Sequence, residues 1–231
     1  MGIVPRTIPF SSLNWSVMEY RCEVTTVVGF VQQVAVQYVR HGYWFYVPGM
    51  VPERKDPRGI DRKLIAKYGI GVSQKERCRR KRAGLANMQY IRHGQFFLLL
   101  ATHGRGDFFS EEAGQIRDAR RTPIKYAGYA IAHRNGRVCV RIDQMTFEGL
   151  KAYFVDLACR RSANSLAGEF ASIRFVPYAP IRQQLLAIWR AVNRARSATG
   201  YEHLPIGCVP WRRPIVKPFE YAAWPSVERP A

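Results

Sequence analysis

Four polar side chains fall close together near the middle of this 231-residue chain: His103, Asp107, Glu111 and Glu112. Two or three carboxylates at such spacing can hold Mg²⁺ and position a water for phosphodiester cleavage. Arg105 or Lys125 would then stand beside the phosphate, and Asp143 could join the carboxylates. No established nuclease motif has this spacing. Ser110 ahead of Glu111 and Glu112 also reads as an N-cap followed by first-turn acids, which needs no metal. Catalysis by Asp107, Glu111 and Glu112 with Mg²⁺ is therefore the second of two functional readings, and under the first no cofactor is expected. G-x-S-x-G, Walker A and G-x-G-x-x-G are all absent, which removes the commonest nucleophile and nucleotide-phosphate signatures. The cysteines, Cys22, Cys78, Cys139, Cys159 and Cys208, are odd in number and lack any C-x-x-C pair. That argues against zinc and against a disulfide framework, and fits reduced thiols in a cytoplasmic protein.

A second chemistry, the gripping of phosphate, has far more residues behind it. Lys and Arg number 36 against 17 Asp and Glu, a formal net charge of +19. A globular chain this basic repels itself, so a polyanionic partner is expected, and nucleic acid is the commonest. A membrane partner is not expected. No run approaches the ~18 apolar residues of a span, and Met1 to Ser12 lack a signal-peptide core. The densest charge lies between residues 75 and 82, where Lys75, Arg77, Arg79, Arg80, Lys81 and Arg82 face only Glu76. A solvated helix or loop face and a localisation signal are the competing accounts of such a run. Arg182, Arg190 and Arg194 line one side of a long amphipathic segment, and Arg212 and Arg213 lie among aromatics near the C-terminus. Arg40 and Arg92 each precede a His-Gly pair, at what reads as an exposed turn.

These residues need a scaffold. Gln37–Val47 and Gln89–Leu99 repeat one pattern: β-branched and aromatic runs on either side of Arg-His-Gly. Each copy reads as a tight β-hairpin, and Tyr129–Ile142 reads as a third with Asn135-Gly136 at its turn. Tyr20 to Phe30 is rich in Val and Thr and favours a strand, although so short a run also suits a helix. Asp61 is positioned to cap a short helix ending near Tyr68. Phe96–Ala101 is continuously apolar, which predicts a strand covered on both faces. A helix is expected from Thr146 to about Arg161, with Phe147, Leu150, Phe154, Leu157 and Ala158 on one face. A longer helix is expected from about Tyr178 to Ala198, with Ile181, Leu185, Ile188, Trp189, Val192 and Ala195 as its apolar stripe and Gly200 as its stop. Prolines at 205, 210, 214, 218, 225 and 230 predict an extended arm.

The expected fold is α+β: an antiparallel sheet or small barrel of three hairpins, two of them an internal repeat, then a helical part and a Pro-rich arm. The expected boundaries are 1–145, 146–203 and 204–231. The expected function is binding of nucleic acid, structured or single-stranded RNA before duplex DNA, through phosphate contacts in a ribonucleoprotein. Basic residues dispersed over loops, helix and tail suit an irregular surface better than one recognition helix would. The alternative is a Mg²⁺-dependent nuclease of a mobile element.

Overall fold

The computed structural model of the chain describes residues 20–213 and 216–219. These form an α+β fold with two antiparallel sheets and no closed barrel. The first expected hairpin is absent. Residues 27–41 instead form one helical rod: α1, Val27–Gln32, then a wider π turn, Gln33–Tyr38, and a 3₁₀ turn, Val39–His41. The reason is visible in the spacing. Phe30, Val31, Val34, Ala35, Tyr38 and Val39 are buried at three- and four-residue intervals, a helical period that the β-branched composition disguises. Thr26 caps the rod by accepting the Gly29 N–H, and Gly42, at φ +92°, ends it in the left-handed region.

Strand β1 (Phe45–Met50) follows, then α2 (Pro57–Lys67), α3 (Gln74–Arg82), β2 (Met88–His93), β3 (Phe96–Ala101), the short α4 (Asp107–Glu111) and β4 (Arg117–Asp118). They assemble the first sheet in the order β2-β3-β1-β4. The second Arg-His-Gly copy does form a hairpin, with Gly94-Gln95 joining β2 to β3 in the register His93↔Phe96. Phe96–Ala101 is covered on both faces, as its composition predicts. Leu98 and Leu100 enter one core with α1, while Leu99 and Ala101 enter a second with Tyr68, Ile70 and Phe108.

The second sheet is a meander of β5 (Ile124–Tyr126), β6 (Tyr129–Arg134) and β7 (Arg137–Ile142). The β6–β7 turn is Asn135-Gly136, both at positive φ as a two-residue hairpin requires. Ala119 stitches the sheets together, donating to the Trp44 carbonyl and accepting from the His133 amide. Helices α5 (Gln144–Leu157), α6 (Ala163–Ala171) and α7 (Ala179–Ala198) pack their apolar faces into the larger core. The stripe from Ile181 to Ala195 does this as its period predicts, and Gly200 at φ +73° follows the last turn.

Several local assignments differ from expectation. Asp56, not Asp61, caps α2, because Asp56 can reach the Arg58 and Gly59 amides. Asp143, not Thr146, precedes α5, which ends at Leu157 before a separate α6. Ser110 lies inside α4 and bonds the Asp107 carbonyl instead of capping a helix that begins after it. Past α7 the chain stays on the body: Leu204, Cys208 and Val209 are buried, and Phe219 packs on the larger core. The rest of the expected arm, with Tyr221 and Trp224, lies outside the described residues, as does the entry segment around Trp15.

Candidate nucleic-acid interface

Helix α3 carries the basic run, and its construction is unusual. Ser73 caps it by accepting the Glu76 amide, which starts the helix without help from packing. None of its nine residues is buried. Polar contacts hold it to the body instead. Arg80 donates to the Gly69 carbonyl just past α2, Arg77 donates to the Val72 carbonyl, and the Asn87 side chain donates to the Arg77 carbonyl. Arg79 pairs with Glu76 at 3.0 Å. Arg77 and Arg80 are therefore partly occupied with the fold, which the charge run alone does not reveal. Lys75, Lys81 and Arg82 have no partner among the described residues and stand in solvent. The neighbouring α2 adds exposed Arg58, Arg62 and Lys63, and the turn before it adds exposed Arg54 and Lys55. Sequence reasoning passed over these five because prolines and glycines break the segment into short charged pieces. Their common signal is that none has an apolar job.

Arg92 is a correction. It is 2% exposed rather than projecting from a turn. It stands on the β2 face that α2 covers, and its guanidinium meets both Asp61 carboxylate oxygens at 2.9–3.1 Å. Its remaining donors reach the Gly94 carbonyl, 2.7 Å, and Glu23, 3.3 Å. Burial works against the charge, but the bonds to Asp61 outweigh it and raise the arginine's pKa. Tyr90 donates to the same Asp61 at 2.6 Å. The nearby Cys22 thiol is pushed up to about 12, by burial first and then by the Asp61 charge. Arg92 fixes α2 to the sheet and offers nothing to a phosphate. Arg40, by contrast, is exposed at the end of the helical rod, not at a hairpin tip.

The remaining predicted contacts lie on α7, which packs on α5 and β7, and just past it. Arg182 is half-buried, and Arg190 and Arg194 are exposed along α7, whose stripe belongs to the larger core. Arg212 is exposed, and Arg213 lies over the Tyr178 ring at 5.1 Å, at the start of α7. Trp211 is 45% exposed. A further arginine missed in the sequence is Arg196, 1% exposed, which donates to the Ala158, Arg161 and Glu202 carbonyls and ties the end of α5 to α7.

Two of the three carboxylates expected to act in catalysis are held by other side chains. Glu111 is ion-paired with Lys67 at 2.8 Å, and that bond holds its carboxyl below the usual range. Glu112 accepts the Tyr68 hydroxyl at 2.6 Å, while burial, followed by this bond, pushes the phenol up to about 12. Asp107 is exposed in the first turn of α4. His103 is exposed beside the Phe45 ring, and Arg105 is exposed, its backbone pairing with Gly84 and Ala86. Asp143 stands between β7 and α5, where Lys125 of β5 meets it at 2.7 Å and lowers its pKa. Among the described residues, no three His, Cys, Asp or Glu side chains are grouped to share a metal ion. Nor is any helix among them long and apolar enough to cross a membrane. No protein-family model matches the chain, and no curated protein resembles it.

Proposed function

We propose that this protein binds nucleic acid through phosphate contacts, RNA in preference to duplex DNA, as a component of a ribonucleoprotein. The observation that carries this reading is α3: six cations against one acid on a helix that buries nothing. Arg92 and Arg196 show cations that the fold buries and bonds. Lys75, Lys81 and Arg82 are neither buried nor bonded among the described residues, and a polyanion lying against them would offset their mutual repulsion. The choice of RNA rests on dispersal. Exposed cations stand on two helices seated on different parts of the fold, α3 tied to the end of α2 and α7 packed on α5 and β7, which suits a folded, irregular partner better than the single groove of a duplex. Nothing about Asp107, Glu111 and Glu112 favours the nuclease reading, since Lys67 and Tyr68 hold two of them.

Fluorescence anisotropy with labelled single-stranded RNA, hairpin RNA and duplex DNA across a salt series tests the proposal. Affinity should fall steeply between about 50 and about 200 mM salt. Replacing Lys75, Lys81 and Arg82 with Gln should reduce the slope of log affinity against log salt by about 2–3, at ~0.7–0.9 per lost contact. Circular dichroism should not change. Affinity that stays flat across the salt series would refute phosphate binding.

A further inference from the structure

The second sheet has an outward face that the larger core does not use. Its inward residues, Ile124, Tyr129, Ile131, Val140 and Ile142, fill that core. Because side chains alternate along a strand, the opposite face is set by the register pairs Lys125↔Ala130, Ala130↔Arg141, Ala132↔Cys139 and Arg134↔Arg137. Lys125, Arg134, Arg137 and Arg141 are exposed there. Between them lies a floor of small residues, Ala130, Ala132 and Cys139, sunk into a cleft of about 180 Å³ with Gln184 of α7 at its wall. Arg141 and Arg137 are four residues apart on β7, so the two ends of this shelf stand about 14 Å apart at ~3.4 Å per residue. Asp143 is the one carboxylate lining the cleft among the described residues, and Lys125 already holds it. The three arginines have no ion-pair partner among the described residues.

We infer that this shelf is a second phosphate-binding surface, which takes a single-stranded stretch of nucleic acid along β6 and β7. The inference rests on the nucleic-acid reading above and adds to it a location and a strand state. Volume decides against a small-molecule site, since pockets that enclose whole ligands run from roughly 300 to 1,000 Å³. A recess of 180 Å³ admits one sugar-phosphate unit of a longer chain whose neighbouring phosphates meet the cations at either end. A duplex carries its phosphates on convex ridges and would bridge the recess, leaving its floor unfilled. Among the described residues the shelf presents no aromatic side chain, so bases do not stack on those residues and binding to them is indifferent to base identity.

Two native thiols report on the two surfaces separately. Cys139 lies on the shelf floor and Cys78 lies on α3. The full chain is alkylated with N-ethylmaleimide and each cysteine is read by peptide mass spectrometry, alone and with saturating oligo(U), oligo(A), duplex RNA or inorganic phosphate. Anisotropy confirms occupancy. Both single strands should slow Cys139 alkylation several-fold, and duplex and inorganic phosphate should not. Replacing Arg134, Arg137 and Arg141 with Gln should abolish that protection, keep protection at Cys78, and lower the salt slope by about 2 at ~0.7 per contact. Unchanged alkylation at Cys139 with a strand bound, as shown by anisotropy and Cys78, overturns the shelf and leaves the function standing. Equal protection by duplex or by inorganic phosphate overturns the single-strand assignment. Absence of any binding overturns both proposals.

Discussion

Arginine plays two opposite parts in this chain, and only one of them is legible in the sequence. Arg82 sits among like charges, and its neighbours alone predict exposure. Arg92 sits in an equally suggestive Arg-His-Gly turn, yet its fate is decided by Asp61, 31 positions earlier. Local reading cannot supply that partner. Asp61 itself is surrounded by exposed residues on α2 and looks like a cap until the helix is placed on the sheet. A buried ion pair is costly to break because the surviving charge is left without compensation. Arg92→Ala or Asp61→Ala is expected to destabilise the protein by about 3–5 kcal/mol in urea unfolding. Lys81→Ala should stay within ~0.5 kcal/mol. Replacing both partners, Asp61→Asn with Arg92→Met, should recover most of the loss. An Arg92→Ala protein as stable as wild type, but weaker on RNA, would return Arg92 to the interface.

At the level of elements, period outperformed composition. The 3.6-residue stripes of α5 and α7 and the two-faced apolar run of β3 are found where their patterns place them. Residues 27–41 mislead because their many valines suggest a strand while the burial spacing is helical. The two Arg-His-Gly copies make the same point: Gly42 ends a helix and Gly94 turns a hairpin, so the tripeptide permits both and the flanking pattern chooses. The loop after β3 shows a constraint that no pattern carries. Gly104 adopts φ +143°, and a Cβ there would stand 2.5 Å from the Ala86 nitrogen and 2.6 Å from the Leu85 carbonyl carbon. That close approach lets residues 84–87 pair with 102–105 and seats the end of α3 beside β2. Since the obstruction is backbone, it cannot swing aside. Gly104→Ala should cost about 2–3 kcal/mol, as overpacking with added φ strain does. It should also speed hydrogen exchange at the Ala86 amide, which donates to the Arg105 carbonyl. Gly114→Ala, with nothing within 4 Å and no positive φ, is the near-neutral control. Slow exchange at Ala86 in a stable Gly104→Ala protein would mean that the loop has another way to seat α3.

For the whole molecule, a net charge of +19 acts on folding and on binding with opposite sign. The fold neutralises some cations internally, at Asp61, Asp118, Asp143 and Glu111. Those on α2, α3 and the second sheet are left facing outward, where they repel one another through solvent. Salt shortens the reach of that repulsion from about 30 Å at 0.01 M to about 8 Å at 0.15 M. The free protein should therefore melt at a higher temperature as salt rises through this range, while affinity for RNA falls over the same range as counterions compete for the phosphates. A bound strand supplies the counter-charge that salt otherwise provides. It should raise the melting temperature most at low ionic strength and progressively less as salt is added. Differential scanning calorimetry with and without oligo(U) at several salt concentrations reads both trends at once. If the free protein's melting temperature does not change with salt, the outward cations are not straining the fold, and their repulsion calls for no polyanion.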